Sequence, residues 1–326
     1  MAHKEGNYDM HYKQLGGFRK RIQSNHLLRK TSMQSRIIEK GMALVNRHKS
    51  AEAEKISLEK LKAKENPYEI PGFIKRKYGI QRFVYADMPV YYLVKPNQVR
   101  KQYILYLHGG AYIHEPSIFH WRFVYQLTEE MPTTVIVPLY PKAPYHTCIK
   151  SYTKLLLFYR QLVSELGAEN IVLMGDSAGG GFALGFAQYL LEKSLPQPKQ
   201  IILISPWLDI TLTNKEIEDY KSVEPMLSAE ALRIDGAYYA GNVDLRHYML
   251  SPINGPLKGL APISIFVGTH EIFLPDVRVL KKRLESLQVA HHYFEYPFMN
   301  HIFTTYPIPE AKIAIKQIAQ LIKELT

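Results

Sequence analysis

From Gln81 onward, short apolar runs are separated by turn residues: QRFVYADM, then PVYYLV, then KQYILYL. Runs of this length, rich in β-branched and aromatic residues, read as strands. Farther along, apolar runs alternate with segments of helical spacing. VIVPLY precedes a helix over Tyr152–Leu166, and IVLMG precedes one from Ala178 to about Lys193. After IILIS and a long irregular stretch, ISIFVG precedes a helix near Val277–Leu287, and HHYFEY precedes a final helix from about Pro309 to Leu325. This alternation predicts βαβ units and a mostly parallel sheet flanked by helices.

Two regions depart from it. Upstream, Met33, Ile37, Ile38, Leu44 and Val45 recur at helical spacing before a charged run to Glu65, which predicts one or two helices ended by Pro67 and Pro71. Between IILIS and ISIFVG, the stretch from Pro206 to Pro262 is far longer than one βα connection. It is weakly helical in pattern and carries Trp207, Tyr220, Tyr238 and Tyr239, so it reads as a small lid over the strand ends. The expected organisation is a helical segment over residues 1–66, a core from 67–205 and 259–326, and a helical cap insertion over 206–258.

Composition narrows the class. Of 326 residues, 46% are hydrophobic and 22% charged, which excludes a disordered chain, a collagen-like repeat and a disulfide scaffold. The net charge of +11 would suit a polyanion partner, but it is unevenly spread. Residues 1–101 hold 22 Lys/Arg against 9 Asp/Glu, and the rest hold 19 against 21. No nucleic-acid fold motif accompanies the basic part, so no nucleic-acid partner is expected. The single Cys148 cannot pair within the chain, and the first residues lack the apolar stretch of a secretory signal. A cytoplasmic location is the expectation. Ile171–Leu191 is the one stretch with membrane-like hydropathy, but Asp176 and several glycines interrupt it, so no membrane insertion is expected.

The candidate chemistry sits at the ends of predicted strands. Gly175-Asp176-Ser177-Ala178-Gly179 follows an apolar run and opens a helix, the setting of a nucleophile elbow. Small residues are required two positions either side of the serine because the chain reverses sharply there. His108-Gly109-Gly110-Ala111-Tyr112 follows YILYL, and consecutive glycines allow backbone N–H groups to approach a developing oxyanion. Gly109, Gly110 and Ala178 are the expected donors, with His108 in support. A serine needs a base, and the base an orienting acid. Of thirteen histidines, His301 in FMNHIF would be presented just past a strand, whereas His291 and His292 begin one. For the acid, THEIFLPD offers Glu271 and Asp276; Glu271 is nearer the strand end, and Asp276 better suits a helix N-cap.

Together these residues resemble the hormone-sensitive-lipase-like family of α/β-hydrolase esterases over about residues 80–325. The resemblance rests on HGGAY, PLYPKAPYHT, GDSAGGG, SPWLDIT, GTHEIFLPD and FMNHIF, in that order. It implies an α/β-hydrolase fold in which Ser177 is nucleophile, His301 base and Glu271 acid. It also implies a cap built from N-terminal helices plus the insertion after SPWLD. The expected reaction is hydrolysis of a small carboxylic ester, with short acyl chains favoured, no metal and no organic cofactor. Tyr112, Asp176 and Trp207 are placed in the substrate pocket. Two motifs depart from the family pattern: Ala111 stands where a third glycine is usual, and Glu271-Ile272-Phe273 replaces an Asp-Pro-Leu-like acid motif. The rival reading is a non-catalytic ligand-binding protein on the same scaffold, or an amidase or peptidase. Whether the chain forms a homodimer is left open.

Overall fold

The computed structural model describes residues 31–46, 51–62, 68–95 and 102–324, so the expectations for residues 1–30 lie outside the described part. Eight strands form one sheet: β1 (Gln81–Tyr85), β2 (Met88–Val94), β3 (Tyr103–Leu107), β4 (Thr134–Pro138), β5 (Ile171–Asp176), β6 (Gln200–Ile204), β7 (Ile263–His270) and β8 (His291–Asn300). Their spatial order is β1-β2-β4-β3-β5-β6-β7-β8. The β1–β2 and β2–β4 pairs are antiparallel and every other pair is parallel. β3 through β7 are almost wholly buried, as continuous apolar runs covered on both faces must be.

The helices fill the crossovers. In chain order they are α1 (Met33–Val45), α2 (Ala51–Lys62), α3 (Gly72–Tyr78), α4 (Ile118–Glu130), α5 (Cys148–Leu166), α6 (Ala178–Glu192), α7 (Ile217–Tyr220), α8 (Ala229–Ala240), α9 (Leu274–Ser286) and α10 (Pro309–Glu324). α6 is apolar all round, and its residues from Ala178 to Gln188 are buried. A helix of that kind belongs in the centre of a domain. α4 was not expected from the pattern. It begins at Ser117, whose side chain accepts from Phe119 N while His120 returns a bond to the Ser117 backbone. The second partner of this capping box is a histidine rather than the usual Glu or Gln.

The ends of the parallel strands carry the site, and two separate stretches of chain cover that side. α7 and α8 belong to the insertion after β6. α1 reaches the same side: Glu39 pairs with His270 Nδ1 at 2.6 Å, the Ser35 hydroxyl contacts the Met299 sulfur, and Asn46 Nδ2 donates to Pro225 O. α2 packs on α8. Among the described residues, no helix is long and apolar enough to cross a membrane.

Candidate active site

β5 ends at Asp176 and α6 starts at Ala178, leaving Ser177 alone in the turn with φ 53° and ψ −125°. Such a backbone is strained for a residue with a side chain, and it persists only where surrounding contacts enforce it. Here Ser177 N donates to Ile204 O at 2.9 Å, and Ser177 O accepts from Gly181 N and Trp207 N. The flanking glycines are sterically required. A Cβ on Gly175 would run into the Gly179 carbonyl, and one on Gly179 into the Leu107 carbonyl.

His301 follows β8 directly, because that strand runs four residues beyond HHYFEY to Asn300. Its Nε2 is 2.8 Å from Ser177 Oγ and its Nδ1 2.9 Å from Glu271 Oε2. Glu271 follows β7, whose pairing with β8 is irregular between Gly268 and His270. A bulge of this kind re-aims the side chains that follow it. The other Glu271 oxygen accepts from Gly268 N at 2.7 Å and Ser205 Oγ at 2.8 Å. Ser205 Oγ in turn accepts from Ile302 N, so one hydroxyl holds both the acid and the chain beside the base. Glu271 is fully buried, His301 is 1% exposed and Ser177 7%. Glu271, His301 and Ser177 therefore form one continuous, nearly water-free hydrogen-bonded line.

Asp276 stands apart from that line. It lies within the first turn of α9 rather than at its N-cap, which is Phe273, and its Oδ1 accepts from Asn214 Nδ2 at 2.8 Å. Burial pushes its carboxyl up to about 6.

The HGGAY loop packs on the elbow: a Cβ on Gly109 would contact both Asp176 and the Ser177 side chain. The expectation for Gly109 as an oxyanion donor is corrected here, because its N–H is already spent on Asp176 Oδ1 at 3.0 Å. By contrast, the N–H groups of Gly110, Ala111 and Ala178 have no acceptor among the described residues. Ala111, the fourth residue of HGGA, is not among the donors expected from the sequence. Its φ of 56° is the left-handed conformation that a glycine would adopt without cost.

The structure buries all three residues expected in the pocket. Asp176 is fully buried and takes bonds from Gly109 N, the Tyr106 hydroxyl and His120 Nε2, so it braces the loop rather than meeting a substrate. Burial opposes its charge, but the facing His120 and these bonds outweigh burial and hold its carboxyl below the ordinary value. His108 is lowered as well, which for an imidazole favours the neutral form. Its burial, reinforced by Lys142 and His120, keeps the imidazole well below its usual range and neutral. Tyr112 and Trp207 have essentially no exposed surface. They belong to a stack that runs from α8 to the base: Tyr239 on Tyr112 (4.1 Å between centroids), Tyr112 on Trp207 (5.6 Å), Trp207 on Phe273 (5.9 Å), and Phe273 edge-on to His301 (5.0 Å). The stack thus packs one side of the His301 ring. Among the described residues no cluster of His, Cys, Asp or Glu is arranged to hold a metal ion.

A serine on a strand-to-helix turn, a histidine and carboxylate on the next strand ends, and free amides beside the serine define a hydrolase of the α/β class. The comparisons agree. Residues 104–305 match the family model described as alpha/beta hydrolase fold, which is more than half of the chain, and the protein belongs to that family. It is 28% identical over 236 residues to an acetyl-hydrolase of Streptomyces hygroscopicus (72% of this chain, 79% of the relative). It is 29% identical over 236 residues to an esterase of Acinetobacter venetianus (71% and 78%). A crystal structure of a Staphylococcus aureus esterase candidate superposes with a TM-score of 0.77 at 34% identity, covering 83% of this chain and 90% of that one. The esterase EstE5 superposes with a TM-score of 0.72 at 26% identity, covering 84% and 97%.

Proposed function

We propose that the protein is a carboxylic ester hydrolase acting through an acyl-enzyme on Ser177, with His301 as base, Glu271 as acid, and the amides of Gly110, Ala111 and Ala178 as oxyanion donors. The observation that carries this reading is the unbroken Glu271–His301–Ser177 hydrogen-bond line. Relatives named acetyl-hydrolase and esterase support ester hydrolysis as the reaction.

The chemistry follows from the geometry. His301 Nε2 takes the Ser177 proton as Oγ attacks the ester carbonyl, and Glu271 holds the other ring nitrogen so that the imidazolium is stabilised as it forms. The carbonyl oxygen becomes anionic at the N-terminus of α6, where free N–H groups and the helix dipole both favour negative charge. His301 then gives its proton to the leaving alcohol, and water deacylates Ser177 by the same path. Short acyl groups are the substrates this reading favours, in line with a relative named acetyl-hydrolase. α1, α2 and the 206–258 insertion act together as the cap.

The test is hydrolysis of p-nitrophenyl esters from two to twelve acyl carbons, run beside acetylated carbohydrates. Activity should be greatest for the shortest chains and be abolished in Ser177→Ala. A Ser177→Ala protein as active as wild type would remove the nucleophile assignment. A preference for long acyl chains would remove the short-chain reading alone.

A further inference from the structure

The VEPML segment of the insertion carries a carboxylate that the triad does not use. Glu224 Oε1 accepts from Met226 N at 2.8 Å and Leu227 N at 3.1 Å, which closes a turn within the insertion. Its other oxygen crosses to the core and accepts from Ile272 N at 3.1 Å. Ile272 is the residue after Glu271 and the one before Phe273, whose ring stands edge-on to His301. Glu224 is only partly buried as a residue, but its carboxylate is enclosed by protein. A bond from this short span to the main chain of the acid's own loop fixes where Glu271 sits relative to β8.

We infer that Glu224 is a positioning residue: it ties the insertion to the Glu271 loop. This rests on the triad reading given above. Three backbone N–H groups are committed to the Glu224 carboxylate, and a neutral amide in its place can satisfy at most the donors facing its one oxygen. Losing the bond to Ile272 frees the 271–273 loop, and misplacement of a catalytic group by even a fraction of an ångström lowers the rate. The ionised and titratable groups facing Glu224 are His301, Glu271 and the Tyr306 hydroxyl. Burial raises the Glu224 carboxyl, and the His301 charge and the backbone bonds only partly offset it, so it ionises at about 7.

The experiment compares kcat and KM of p-nitrophenyl acetate hydrolysis in wild type, Glu224→Gln and Glu224→Asp, with Ser177→Ala as the inactive control. Glu224→Gln should lower kcat about tenfold or more with KM within about threefold. Glu224→Asp keeps both carboxylate oxygens, so its kcat should fall between the other two. A Glu224→Gln enzyme with wild-type kcat overturns the inference, as does one whose KM rises as far as its kcat falls, or a Glu224→Asp enzyme no more active than Glu224→Gln. Where Glu224→Gln does not fold, as judged by near-ultraviolet circular dichroism, Glu224→Asp decides: lowered kcat with KM retained supports positioning, and unchanged kcat overturns it. A Ser177→Ala control that still turns over substrate would instead indict the triad.

Discussion

Replacing Asp176 with asparagine probes how the oxyanion loop is held without touching the nucleophile. The carboxylate is fully buried, its Oδ1 takes bonds from the Gly109 amide and the Tyr106 hydroxyl, and its Oδ2 faces His120. Asparagine has nearly the same shape and keeps one acceptor oxygen, but loses the charge and turns an N–H₂ group toward one of these partners. A hydrogen bond to a buried charge contributes about 1.5–3 kcal/mol, and breaking a buried ionic pair costs about 3–5 kcal/mol. We expect a loss of about 2–4 kcal/mol of folding stability, read as a lower urea midpoint at an unchanged slope. Removing a single oxyanion donor outright costs about 10²–10³ in rate, so loosening the loop that carries two of them should cost about 10–100-fold in kcat. The pH dependence gives a second reading. The Asp176 carboxyl is held below its ordinary value in the folded protein, so its stabilisation is complete above about pH 4, where the unfolded chain's aspartate ionises. It is lost as the pH falls through the lower folded value, and the stability gap between wild type and variant should narrow there. An Asp176→Asn protein within about 1 kcal/mol of wild type and within twofold in kcat would refute the bracing role.

Three further substitutions test separate parts of the site. Glu271→Gln should lower kcat by about 10³–10⁴ with little change in KM, since the amide cannot stabilise the imidazolium and presents the wrong group to Nδ1; steady-state kinetics would show it. Ala111→Gly should leave kcat near wild type and raise stability by about 0.5–1 kcal/mol in urea titration, the relief of the left-handed backbone outweighing the greater freedom of glycine in the unfolded chain. Trp207→Ala removes the middle ring of the stack between Tyr112 and Phe273 and should cost about 3–5 kcal/mol by thermal or urea unfolding.

Much of the core was legible because its strands are buried on both faces and its motifs carry steric requirements. The GDSAG turn announced itself through glycines that the packing cannot replace, and distance to the strand end favours Glu271, the carboxylate that contacts His301, over Asp276. The missed parts have physical causes. α4 is rich in Ile, Phe, Trp and Val, residues that favour strands, and its N-terminal signal uses His120 where a Glu or Gln is usual. α3 is only seven residues long, too short for a periodic pattern. β8 outruns its apolar stretch because PFMN continues the pairing after Tyr296. Nothing in the neighbours of Gly109 reveals that Asp176, sixty-seven positions away, accepts its N–H. Long-range polar pairs of that sort are invisible to local pattern.

Ser177, Glu271 and His301 hang from the ends of β5, β7 and β8, three strands of one sheet in which β6 separates the first two. Adjacent strands keep a nearly constant spacing of about 4.8 Å whatever their side chains are. The reacting groups therefore inherit their separation from main-chain pairing, whereas the chain after β6 leaves the sheet between Ser205 and Pro262. On the cap reading proposed above, changes in that excursion should alter ester preference while the bond-breaking apparatus is left intact.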